Sequence, residues 1–84
     1  MVMIMSPVQC RMARAALGLG VREVAAAAKV STDTVARFER GEDLKERTIE
    51  ALQRTFEAAG VEFIDENGGG PGVRLKKRQQ KRKT

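Results

Sequence analysis

Residues 21–41, VREVAAAAKVSTDTVARFERG, decide the fold. Apolar side chains at Val24, Ala25 and Ala28, then Val30, then Val35 and Phe38 fall on one helical face either side of a single interruption, so the stretch reads as helix, tight turn, helix. Ser31 stands where the second helix begins, and its hydroxyl can accept the free backbone N–H groups of the first turn. That start leaves Thr32, Asp33, Ala36 and Arg37 facing away from the buried side. Gly41 ends the helix, because glycine enters the left-handed region without a Cβ clash.

Working towards the N-terminus, Ser6-Pro7-Val8-Gln9 is a helix start: serine at the cap, proline at the first helical position, and glutamine three residues on to reach back. This helix is expected to run to about Leu17, with Val8, Met12, Ala15 and Ala16 on its buried side, and to break at Gly18 and Gly20. Towards the C-terminus, Asp43-Leu44-Lys45-Glu46 is a second cap signature. The helix after it, about Leu44 to Ala59, carries Ile49, Leu52, Phe56 and Ala59 on one stripe.

After Gly60 the period changes to two. Val61, Phe63 and Asp65 alternate with Glu62 and Ile64, a glycine-rich segment follows, and Val73-Arg74-Leu75-Lys76 alternates again, which reads as a β-hairpin. No helix or P-loop lysine-threonine pair follows the glycines, so a phosphate cradle is not indicated. A lone hairpin is marginal in water and its edges are open to pairing. The expectation is that hairpins of two subunits pair, burying Val61, Phe63, Val73 and Leu75 at the junction; the alternative is a hairpin folded back on its own helices.

The fold class expected is therefore mainly α: a four-helix domain over residues 1–60, a dimerising β-hairpin over 61–77, and a disordered basic tail over 78–84. In 84 residues little surface can be buried, which favours association between copies. There is one cysteine, Cys10, read as a small helix-face or core residue, so no disulfide framework is possible and a reducing compartment is the natural setting. There is no histidine, so neither histidine catalysis nor a transition-metal site is expected; the reading is a non-enzyme without cofactors. Without a long apolar run or a secretory signal, the expected location is the cytoplasm, with no membrane partner and no small-molecule effector evident. The net charge of +5 is uneven: six basic groups lie in residues 76–84, leaving ten basic against eleven acidic groups before them. That tail is either a DNA-touching arm acting through counterion release or a solubilising segment.

The 21–41 segment resembles the helix-turn-helix of phage Cro/CI-type (XRE-like) transcriptional regulators. The resemblance is carried by Ala25, the Val30-Ser31 turn, Thr34-Val35, Phe38 and the Glu39-Arg40-Gly41 ending, and with its flanks covers about residues 6 to 60. It departs at Val21, where the family carries a DNA-touching glutamine, and at Lys29, where it carries a glycine in the turn. The resemblance implies a structural ion pair between Arg14 and Glu39, and a sugar-phosphate grip by the loop from Gly41 to Lys45.

For a double-stranded DNA partner, the second helix would read the major groove, where every base pair shows a distinct pattern of donors and acceptors. Arg37 can pair with guanine through two hydrogen bonds, Thr32 can meet a thymine methyl or a phosphate, and Asp33 can accept from cytosine or hold Arg37; Ala36 completes the base-reading set. Arg22, Lys29, Ser31, Arg40, Lys45 and Arg47 are the candidate phosphate contacts, with Glu42 and Asp43 opposing the grip. The leading expectation is a homodimeric regulator, repressor or activator, on an inverted-repeat operator. The alternatives are a protein-interaction factor, such as an antitoxin or anti-activator, that keeps the fold, and a general nucleic-acid binder driven by the tail.

Overall fold

The computed structural model describes residues 4–65 and 68–76. Four helices, α1 (Pro7–Leu17), α2 (Val21–Ala28), α3 (Thr32–Glu39) and α4 (Glu46–Ala58), precede two antiparallel strands, β1 (Val61–Ile64) and β2 (Gly72–Leu75). In the hairpin Val61 faces Leu75, Glu62 faces Arg74, Phe63 faces Val73 and Ile64 faces Gly72.

Short helices are costly to start and end, because the first N–H and last C=O groups have no partners within the helix. The first three helices of this chain end in the same way. Gly18 N–H donates to Ala15 O and Leu19 N–H to Arg14 O; Lys29 and Val30 repeat the pattern on Ala26 and Ala25, and Gly41 and Glu42 repeat it on Phe38 and Arg37. Each is a Schellman closure, which needs one residue in the left-handed region. Gly18 (φ 69°) and Gly41 (φ 96°) supply it without a Cβ, whereas Lys29 adopts it at φ 61°. The turn expected from the glycine at that place is thus kept by a lysine, at a cost of about 1 kcal/mol.

The core consists of Met5, Cys10, Ala13, Val24, Ala25, Val35, Phe38, Leu52, Phe56 and Val61. Val24, Val35, Leu52 and Phe56 sit where the apolar spacing puts them, but α1 is turned from its expected orientation. Gln9, Cys10 and Ala13 are its buried residues, while Val8, Ala15 and Ala16 are exposed and Met12 half-buried. Hydrophobicity alone pointed to the wrong face because the inward one opens on a glutamine. The start of α4 also differs: Lys45 is its N-cap and makes no side-chain capping bond, so Asp43 does not cap it. Thr48 and Ile49 N–H donate to the Lys45 carbonyl, and α4 begins there. Ala59 lies exposed beyond its end, and Gln53 takes a buried place beside Leu52.

The hairpin lies on its own helices. Val61, assigned by sequence to a dimer junction, is instead completely buried in the chain's own core, and the Phe63 ring meets Phe56 edge-on with centroids 6.2 Å apart. Phe63 and Val73 are half-buried and Leu75 keeps half its surface exposed. What ties the hairpin down is Gln9. Its Oε1 accepts Ser6 N–H at 3.0 Å, closing the expected capping box with the Gln9 N–H to Ser6 Oγ bond. Its Nε2 then donates both protons across the fold, to Ile64 O at 3.1 Å and Gly72 O at 3.0 Å. One amide thus caps α1 and pins β1 and β2 together. Gln53 does similar work, accepting Met5 N–H on Oε1 at 2.9 Å. The expected tail, residues 78–84, lies outside the described residues.

Gln9→Met keeps about the side chain's length but leaves two strand carbonyls and a cap N–H without their partner, so it is expected to destabilise the fold by on the order of 2–3 kcal/mol. The midpoint of urea unfolding measures this; an unchanged midpoint would show that the amide does not hold the hairpin.

Candidate nucleic-acid interface

The face that reading of a duplex requires is the outer side of α3. Ser31 caps the helix, its Oγ accepting Thr34 N–H at 3.0 Å and lying 2.8 Å from Thr34 Oγ1. Val35 and Phe38 turn inward and are buried. The spacing then leaves Ser31, Thr32 and Asp33 exposed and Ala36 and Arg37 half-exposed, so the ridge predicted from the sequence is open to solvent.

Arg37 is not loose on that ridge. Its Nη1 lies 3.6 Å from Asp33 Oδ2, one helical turn back, and its Nε donates to Glu42 Oε1 at 3.1 Å. Glu42 Oε2 at the same time accepts from Arg40 Nη2 at 3.0 Å. These contacts hold the Glu42 carboxyl below its ordinary pKa, the Arg40 bond most and the Arg37 bond next, and the Glu42 bond raises that of Arg37. Sequence reasoning placed Glu42 as a general opponent of phosphate contact. Its direct hold on both arginines depends on the turn at Gly41, which no spacing rule describes.

The remaining candidates are spread over neighbouring elements, all exposed: Arg22 in the first turn of α2, Lys29 in the α2–α3 turn, Arg40 after α3, Lys45 at the α4 cap and Arg47 in the first turn of α4. At the start of α2 the Gly20 N–H is already taken by Glu23 Oε1 at 2.6 Å. Val21, in place of a polar side chain, is half-buried and packs against the core.

Behind the ridge, α3 is locked to α1. Arg14 Nε and Nη2 reach Glu39 Oε2 and Oε1 at 2.7 and 2.8 Å, the two-pronged pairing the resemblance implied. Three further bonds at this junction were not legible in the sequence. Cys10 Sγ donates to Glu39 Oε2 at 3.2 Å, Arg11 Nη1 donates to Glu39 O, and Arg14 Nη1 reaches Leu19 O at 3.3 Å. Burial works to raise the Glu39 pKa, but the Arg14 bonds, with help from Cys10, outweigh it and hold the carboxyl below its usual value. Burial, and then the bond to Glu39, pushes the Cys10 thiol up, so it stays protonated and acts as a donor rather than a nucleophile. Among the described residues no group of three or more carboxylate or cysteine side chains is placed to hold a metal ion, and no helix is long and apolar enough to cross a membrane.

A protein-family model described as a helix-turn-helix domain matches residues 9–63, from within α1 to within β1. A search of curated proteins gave no match.

The lowered Glu39 pKa has a pH consequence. The folded value lies below the unfolded one, about 4.3, so the stability it contributes is complete above that value and lost as pH falls through the folded value. Glu39→Gln is expected to be less stable near neutral pH by about 1–3 kcal/mol and to lose less on acidification than the parent. Thermal midpoints of both proteins between pH 7 and 3 measure the difference; parallel curves would remove Glu39 from the acid transition.

Proposed function

Because the chain belongs to the helix-turn-helix domain family, we propose that it is a sequence-specific, DNA-binding transcription regulator that reads the major groove with α3. The observation that carries this reading is the exposed ridge of Thr32, Asp33, Ala36 and Arg37 on a helix whose opposite side, Val35 and Phe38, is buried. Arg37 would make the decisive contact, a pair of hydrogen bonds to guanine O6 and N7, while Thr32, Asp33 and Ala36 shape the neighbouring positions. Arg22, Lys29, Ser31, Arg40, Lys45 and Arg47 would set the domain on the sugar-phosphate backbone without choosing the sequence.

The finer assignment is to regulators of the Cro/CI type, acting mainly as repressors on an inverted repeat. The two-pronged Arg14–Glu39 pair supports it. Two copies related by a twofold axis would set their α3 helices about one turn of DNA apart, roughly 34 Å. With Val61 spent in the chain's own core, the surface left for pairing hairpins is Phe63, Val73 and above all Leu75, half of which is exposed.

Selection of random duplexes by the purified protein is expected to enrich a motif with twofold symmetry. Arg37→Ala should weaken binding to that motif by about 5- to 150-fold and relax the preference at one position in each half-site, with the fold intact by circular dichroism. Recovery of no preferred sequence would overturn the proposal in favour of a protein-interaction or general nucleic-acid-binding role.

A further inference from the structure

Glu42 stands at one point where a base-reading and a phosphate-gripping side chain would both be lost to a competitor. Its position is set by the backbone: Glu42 N–H donates to Arg37 O at 3.0 Å, and Gly41 at φ 96° turns the chain so that the carboxylate comes back over the end of α3. One oxygen then takes Arg37 Nε, and the other takes Arg40 Nη2 and Nε at 3.0 and 3.3 Å. A carboxylate holding two guanidinium groups imitates what a phosphate would do there.

We propose that Glu42 is a specificity-determining residue, an internal phosphate mimic that keeps Arg37 and Arg40 from gripping DNA of the wrong sequence. The proposal rests on Arg37 being the base reader. On unmatched DNA, Arg37 meets no paired acceptors that can replace Glu42 and Asp33, so it stays bound within the protein and the Glu42 charge repels the backbone. On the matched sequence, guanine O6 and N7 offer a two-bond replacement, and Arg37 exchanges one partner for another. Exposed ion pairs are individually weak, which suits a contact that must be given up on each binding event. The parts around it agree: residues 1–75 carry ten basic against eleven acidic groups, so the body has no net positive charge to hold it on any duplex it meets.

The test compares the full chain with Glu42→Gln and Glu42→Asp on two duplexes, the motif enriched by selection and a scrambled version, over a series of salt concentrations. Glu42→Gln is expected to bind the scrambled duplex about 3- to 10-fold more tightly, with a salt dependence steeper by about one released counterion, and to gain less on the enriched motif, so that the ratio between them falls. Glu42→Asp, which keeps a carboxylate, should retain a higher ratio than Glu42→Gln. An unchanged affinity and salt slope on scrambled DNA, an equal gain on both duplexes, or identical ratios for the two variants would overturn the proposal while leaving Arg37 as reader. Failure of the parent protein to tell the duplexes apart would overturn the assignment of Arg37, and the role of Glu42 with it.

Discussion

The Glu39 carboxylate is where the body of this protein and its exposed ridge are joined. Both of its oxygens face Arg14 of α1, Cys10 adds a third donor, and Arg11 takes the backbone carbonyl of the same residue. Only 9 % of the Glu39 side chain is exposed, so the pairing costs desolvation and its net contribution to stability can be small. Its geometric effect is larger. Two parallel guanidinium bonds fix rotation as well as distance, and they act at the C-terminal end of α3, where positive charge also suits the helix dipole. With that end held and Val35 and Phe38 in the core, the outward side of an eight-residue helix has one orientation available to it.

α1 is the common support. From one face it supplies Arg14, Cys10 and Arg11 to α3, and through Gln9 it holds both strands of the hairpin. Two glutamines, at 9 and 53, are nearly inaccessible to solvent, and both of them work through their amides on backbone groups distant in sequence. A small domain has few apolar residues to spend, and a buried amide is stabilising only when its donors and acceptors are all met. Gln9 uses both protons and its oxygen, which lets a polar residue do the positional work of several contacts.

The charge layout follows a similar economy. The ridge carries an arginine, but that arginine, its neighbour Arg40 and the carboxylates of Asp33 and Glu42 form one network at the surface. A side chain so placed keeps a defined position before any partner arrives, and a partner must replace its carboxylate contacts to engage it.

Much of this architecture was legible without coordinates, for local reasons. Ser6-Pro7-Val8-Gln9 and Ser31 set helix starts through bonds made within three residues, Gly18 and Gly41 set helix ends through one backbone angle, and Val24, Val35, Leu52 and Phe56 marked their faces by period. The alternation after Gly60 likewise showed a hairpin. The orientation of α1 was not legible, because its inward face is made of Gln9, Cys10 and Ala13, and a glutamine counts as buried only once Ile64 and Gly72 are brought to it. The place of the hairpin was undecided for the same reason: alternation says that one face is covered, not by what. Val61 joined the core of its own chain as Phe63, two residues on, met Phe56 and the Gln9 amide held Ile64 and Gly72. Short-range patterns in the amino-acid sequence determined the elements and the open ridge on α3. Bonds between residues 25 to 63 positions apart, set by how the elements pack, decided which polar groups would be buried and that Arg11 and Arg14 would be held on Glu39.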